Sequence, residues 1–178
     1  ACGKTGEQTD TTEIIGTESE KANALFERAF QDLINSSPQL QTSLGIKKDY
    51  GSWDDPSDSA KVQALEKTKI FLDEIQREVN YDALDEQTKI SYDLFVLQCE
   101  NRIEDFEYRY HQYPVNQMFG FHSQVPSLLI NMHLITSITD AEAYISRLNG
   151  VAKLFDKALT ELKIAEEKGI MPPKFVYG

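Results

Sequence analysis

Residues 139–169 read TDAEAYISRLNGVAKLFDKALTELKIAEEKG, and this stretch decides the fold class. Apolar side chains recur at Tyr144, Ile145, Leu148, Val151, Ala152, Phe155, Ala158, Leu159 and Leu162. That is the spacing of one face of an α-helix. Thr139 and Glu142 form a capping box at its start, and Asp140 and Glu142 suit the positive end of the helix dipole. Lys168 stands in the last turn, Gly169 supplies a left-handed cap, and Pro172-Pro173 prevents continuation.

The same pattern repeats upstream. Ala22, Leu25, Phe26, Ala29, Phe30, Leu33 and Ile34 mark one face of a helix over Lys21–Asn35, which Ser36-Ser37-Pro38 ends. Residues 39–54 contain Gly45 and Gly51 and read as a long loop, pinned to the body by Trp53. A second helix opens at Asp55-Pro56 or Ser57 and carries Ala64, Leu65, Thr68, Phe71, Leu72, Ile75 and Val79 on one side. Asp85 caps a third. One stripe of the third helix is Tyr92, Phe95, Val96, Cys99, Ile103, Phe106 and Tyr110. A second is Ile90, Leu94 and Leu97, and two apolar faces predict a helix packed between neighbours. No strand alternation of comparable length occurs. The expected fold class is all-α: long packed antiparallel helices with one irregular insertion.

The insertion, residues 110–133, reads YHQYPVNQMFGFHSQVPSLLINMH. Pro114, Gly120 and Pro126 divide it, and a short helix is expected over Gln124–Met132. Tyr110, Tyr113, Phe119 and Phe121 crowd it with aromatic rings. Such a segment is either a structural plug or the wall of a binding site. It holds all 3 histidines of the chain, at positions 111, 122 and 133. Spaced through an unbroken helix they would share a face, but the prolines and the glycine deny that helix. Each is read as satisfied by core or loop hydrogen bonds rather than as a metal ligand. Glu100, Glu104 and Glu107 read as a solvated helix face. No His-Glu-x-x-His, Cys-x-x-Cys, Gly-x-Ser-x-Gly or phosphate-cradling glycine loop is present.

The chain of 178 residues is 40% hydrophobic, enough for a core in a single domain. Its 29 acidic residues outnumber 18 basic ones, giving a net charge of -11, which argues against nucleic acid and against an anionic lipid surface. Of the 2 cysteines, Cys99 falls on an apolar helix face. Cys2 sits in a polar leader, residues 1–18, expected to be flexible. Ala1-Cys2-Gly3 resembles the end of a bacterial lipobox, which makes Cys2 a lipidation site, the leader a tether, and the cell envelope the expected location. The membrane would then be met only through that lipid. The competing reading is an ordinary mobile terminus. Phe175, Val176 and Tyr177 are apolar with nothing after them to bury them. Residues 19–178 are therefore expected to be the N-terminal part of a larger helical domain.

Three motifs carry a resemblance. Tyr113-Pro-Val-Asn-Gln-x-x-Gly120 followed by Val125-Pro126 and His133 is one; Asp140–Leu148 is another; Gly169-Ile-Met-Pro-Pro-Lys-Phe-Val176 is the third. With Ser37-Pro38, Leu44-Gly45 and Trp53-Asp54 they resemble the bacterial proteins grouped as domain of unknown function 885, from about Leu25 onward. The resemblance implies an all-helical, zinc-dependent peptidase-like enzyme, often an exported lipoprotein. The family's His-Glu-x-x-His helix has no counterpart here. The catalytic residues and the zinc are accordingly expected in a missing C-terminal catalytic portion, the partner of this chain. Tyr113, Asn116, Gln117 and His122 are the candidate residues for gripping a peptide substrate, with Asn116 and Gln117 alternatively capping nearby helix ends. The rival reading is a non-enzymatic cell-envelope lipoprotein that binds a partner or small ligand.

Overall fold

The computed structural model describes residues 8–116 and 118–177, with side chains for 17–116 and 118–175. Six α-helices are formed by the described residues: α1 Gln8–Ser36, α2 Pro38–Ser43, α3 Asp58–Glu78, α4 Glu86–Asp105, α5 Phe121–Ser127 and α6 Ile138–Glu167. One π-helical turn, Leu128–Met132, prolongs α5, and short 3-10 turns cover Tyr81–Ala83, Phe106–His111 and Lys174–Tyr177. The fold is all-α. The only pairing outside helices among the described residues is an isolated antiparallel bridge between Val115 and Gly120. The chain divides into two units, residues 1–31 with 64–106, and residues 32–63 with 107–178.

In the first unit the helical periodicity is realised as packing. Ala22 and Leu25 of α1 meet Ile75 and Val79 from α3 and Leu84, with Phe26, Phe71, Tyr92, Phe95 and Val96 closing around them. Phe26 and Phe95 lie 5.2 Å apart, ring to ring. The tight connection between α3 and α4 makes them antiparallel neighbours, and two side chains from α1 hold it. Glu18 accepts from the Asn80 amide at 2.9 Å and Ser19 from the Asp85 amide at 3.0 Å. Asp85 caps α4 as expected, accepting from the Thr88 amide at 2.8 Å. The Ser19 hydroxyl and that amide draw its carboxyl down to about 2. Cys99 is a buried free thiol, its pKa raised by that burial. The second stripe of α4 departs from expectation. Ile90, Leu94 and Leu97 each keep about half their surface in solvent (55%, 52% and 51%) rather than packing between neighbours.

The second unit is built on α6, whose buried face is rotated from the one its apolar residues suggest. Asp140, Arg147, Leu154 and Glu161 are buried at seven-residue intervals, with Ala158 and Ala165. Ile145, Leu148 and Leu159, expected in the core, are exposed. Seven residues is close to two turns, so the buried set forms one stripe, and its three charged members each fasten a different segment. Asp140 accepts from Lys47 at 2.8 Å and from the Thr136 hydroxyl and amide at 2.7 and 2.9 Å; these donors hold its carboxyl well below the usual range. Glu161 accepts from the Asp58 amide at 3.1 Å and from Lys61 at 2.6 Å, so its carboxylate sits at the positive end of α3. Arg147 is fully buried. It donates to the Ser52 and Pro38 carbonyls, the Thr42 hydroxyl and the His133 ring. No carboxylate touches it in this web. Neutral acceptors satisfy its fork, and the rings of Tyr50 and Trp53 lie 5.6 and 5.4 Å from the guanidinium carbon.

These contacts fold residues 37–57 onto α6. The segment expected to be pure loop contains α2, capped by Ser37, which accepts from Leu40 at 3.1 Å. Trp53 does pin the segment: its indole donates to the Arg147 carbonyl at 2.9 Å. A Cβ at Gly150 would lie 3.1 Å from that ring, so the glycine permits the close approach. An apolar cluster of Val125, Leu129 and Leu154, with Trp53, Phe121, Tyr144, Val151 and Phe155 around it, completes this core.

Three boundaries are corrected. α1 begins at Gln8, ahead of Lys21, because apolar period marks only the part of a helix that packs. α6 is capped by Ser137, which accepts from the Asp140 amide at 3.1 Å, and not by Thr139. α5 starts directly after Gly120 and retains Pro126 within it, at the expense of the one intrahelical bond that the missing N–H would have made. The Ala1–Glu7 segment, with Cys2, lies outside the described residues. Among the described residues no helix is long and apolar enough to cross a membrane.

Candidate functional site

A half-open cleft of about 300 Å³ lies in the second unit, between the C-terminal half of α6 and the start of the insertion. Leu159, Leu162, Lys163 and Glu166 form its helical side, Tyr110, Tyr113 and Pro114 the facing side, and Ile170–Pro172 its end. Local rules explain each part. Gly169 turns the chain at φ 73, while its amide bonds the Glu166 carbonyl at 2.8 Å and that of Ile170 the Ala165 carbonyl at 2.9 Å. This is a Schellman ending, and it folds Ile170–Pro172 back along the cleft. The Tyr113 hydroxyl then donates to the Met171 carbonyl at 3.3 Å.

Tyr110 is the electrostatic anchor. The Arg109 guanidinium carbon lies 4.5 Å from its ring centre and the Lys168 ammonium 5.0 Å from it. Arg109 bonds Asp58 at 2.7 Å, and that contact above all lowers the Asp58 carboxyl. Burial, followed by the Asp58 carboxylate, pushes the Tyr110 phenol up. The phenol is therefore neutral at ordinary pH and acts as a hydrogen-bonding group, not a base. The cleft surface is chiefly aromatic and aliphatic, with one cation and one carboxylate at α6. Such a lining takes an apolar side chain and orients it by a few polar contacts. Its lining holds no Ser, Thr, Cys or His.

Of the residues chosen from sequence, Tyr113 lines this cleft. Asn116 does not: its carbonyl oxygen accepts from the Met118 and Phe119 amides at 2.9 and 2.7 Å, closing the turn that the bridge from Val115 to Gly120 defines. It caps a turn and not a helix end. His122 is exposed on the first turn of α5 and is also absent from the lining. Gln117 lies outside the described residues. Sequence reasoning missed Tyr110, Leu159, Leu162, Lys163 and Glu166, and the signal for them was the helix-ending Gly169 beside Pro172-Pro173. That pair folds the chain back over whatever the last turns of α6 present.

The described residues bring together no three His, Cys, Asp or Glu side chains that could hold a metal ion. His133 is unsuited for a further reason: one ring nitrogen faces the Arg147 guanidinium at 3.2 Å and the other the Asp140 carbonyl at 3.1 Å. The donor set for zinc that the resemblance implies does not exist in these residues.

The described residues form an all-helical fold with an apolar, aromatic-walled cleft in its second unit. The family model described as Bacterial protein of unknown function (DUF885) matches residues 38–178, and the chain belongs to that family. No curated protein and no solved structure matches it.

Proposed function

We propose that this chain is the N-terminal helical portion of a zinc-dependent, peptidase-like hydrolase and supplies one wall of its peptide-binding cleft. The observation that carries this reading is the cleft between Tyr110, Tyr113 and the last turns of α6, where an apolar floor is bordered by Lys163 and Glu166. An extended peptide offers alternating side chains and main-chain amides. Leu159 and Leu162 bury an apolar side chain, and the Tyr113 hydroxyl, now on the Met171 carbonyl, exchanges that bond for a substrate amide. In this reading zinc and the water it activates would be supplied by a C-terminal catalytic portion; the described residues gather no three His, Cys, Asp or Glu side chains that could hold a metal ion. The run between Arg109 and Asp140 has no Asp, Glu, Lys or Arg, yet exposes Phe119, Ile130, Leu134 and Ile138. Such a surface fits coverage by that partner. A lipid on Cys2 would hold the assembly at the cell envelope.

The test is peptide hydrolysis by the full natural protein, with and without a zinc chelator. Tyr113→Ala is expected to raise KM several-fold with a smaller change in kcat. A protein that hydrolyses no peptide, with or without added zinc, contradicts the enzyme reading and leaves the binding lipoprotein in its place.

A further inference from the structure

The outward stripe of α4 takes no part in the cleft or its support. Ile90, Leu94 and Leu97 occur at i, i+4 and i+7, so they stand one above another along about two turns. Each is half in solvent. A packed helix does not spend three large aliphatic residues on one solvent face without a partner to cover them.

The charges beside the stripe say what that partner is. Glu86, Asp93 and Glu100 repeat at seven-residue intervals and form one flank; Gln87 and Gln98 lie on the other. All five are exposed. Lys89 is paired with Glu86 at 3.1 Å, while Asp93 accepts the Tyr81 hydroxyl at 3.0 Å. Self-pairing gains nothing from this arrangement. Two copies packed antiparallel set acid against acid, and two packed parallel set acids against amides.

We infer that the Ile90–Leu94–Leu97 stripe is a docking surface for a basic amphipathic helix, whose apolar residues cover the stripe and whose Lys or Arg residues, repeating every seven positions along one edge, face Glu86, Asp93 and Glu100. The one-sided acidic flank fixes the orientation of the incoming helix as well as its charge. The stripe belongs to the first unit, and the inference stands apart from the proposed enzyme reading.

Two synthetic probes test it with the 178-residue chain: a leucine-heptad helical peptide edged with lysine, and the same peptide edged with glutamate. The lysine peptide is expected to bind, to weaken as salt rises, and to shift the amide resonances of α4. Leu94→Glu is expected to weaken it by about tenfold or more. Reversal of the flank by Asp93→Lys with Glu100→Lys is expected to transfer preference to the glutamate peptide. Circular dichroism checks that each variant remains helical, and because all three sites are exposed the flank reversal remains informative if Leu94→Glu loses structure. Equal binding of both peptides, no binding of either, or an unchanged preference after the flank reversal overturns the inference. So does a parent chain that sediments as a dimer and becomes monomeric in Leu94→Glu.

Discussion

Arg147 fixes the tautomer of His133. The guanidinium Nη1 lies 3.2 Å from His133 Nδ1, and a guanidinium can only donate. Nδ1 must therefore accept, which places the ring proton on Nε2, where it is donated to the Asp140 carbonyl oxygen at 3.1 Å. Tyr50 stacks on the imidazole at 3.9 Å and Tyr144 meets it edge-on at 5.2 Å. The neutral histidine is thus an acceptor for a buried cation, and the pair ties α6 to α2 and to the segment that follows it.

Arg147→Met is expected to destabilise the second unit. It strands acceptors on Ser52 and His133 and takes a donor from Thr42 and Pro38, which keep their own bond to each other at 2.9 Å. Each buried polar group left unpaired costs about 1–3 kcal/mol, so a loss above about 3 kcal/mol is expected. Urea unfolding followed by the fluorescence of Trp53 reads it directly, since that ring lies on the same web. A midpoint equal to the parent's would mean that the web is not holding this segment.

His133 makes part of the stability acid-sensitive. Burial, and then the positive charge of Arg147, lower its pKa below 6.5. The unfolded chain takes up the proton first, so the stabilising contribution is complete above pH 6.5 and is lost as pH falls through the folded value. Asp85 and Asp140, both lowered from 3.8, lose their contributions only below that value. The windows are therefore separate. His133→Asn, whose oxygen can accept from Arg147 without titrating, is expected to flatten the urea midpoint between about pH 7 and 5. An unchanged slope in that variant assigns the acid sensitivity elsewhere.

Gly120 cannot be replaced cheaply. Its φ of 143 is strained for any side chain, and an added Cβ would meet the Pro114 carbonyl oxygen at 2.5 Å. Gly120→Ala is expected to cost about 1–3 kcal/mol and to open the turn that Asn116 closes. Amide exchange at Phe119 and Phe121, whose main-chain groups bond Asn116 and Pro114, is the measurement.

The two rival caps of α6 separate cleanly. Ser137→Ala removes the acceptor for the Asp140 amide and is expected to lower stability by about 1 kcal/mol. Thr139→Ala is expected to stay within about 0.5 kcal/mol. The reverse order would restore the capping box that the sequence suggests.

That pair of variants also marks where the sequence stopped being readable. Helix existence followed from apolar period, and Asp85 and Gly169 were legible as caps because a capping residue acts on its own neighbours. The rotation of α6 was not. Asp140, Arg147 and Glu161 are charged, and nothing in their spacing tells that Lys47, Thr42 and Lys61 arrive from far along the chain to satisfy them. α2 was hidden because Pro38–Ser43 is too short and polar to show a period. In the cleft, Tyr113 could be chosen because its segment is irregular and aromatic. Leu159 and Leu162 could not, because a leucine on a helix face reads as core until the path of the following chain is known.

The most direct test of the account is a titration of the isotopically labelled 178-residue chain with a blocked pentapeptide carrying a central phenylalanine, read by amide chemical shifts. Saturable shifts are predicted at Tyr110, Tyr113, Leu159 and Leu162. They are predicted to vanish in Leu162→Trp, which fills the cleft, while its circular dichroism matches the parent. Shifts confined to other residues, or shifts that persist unchanged in Leu162→Trp, would contradict the claim that this cleft is the peptide-binding wall.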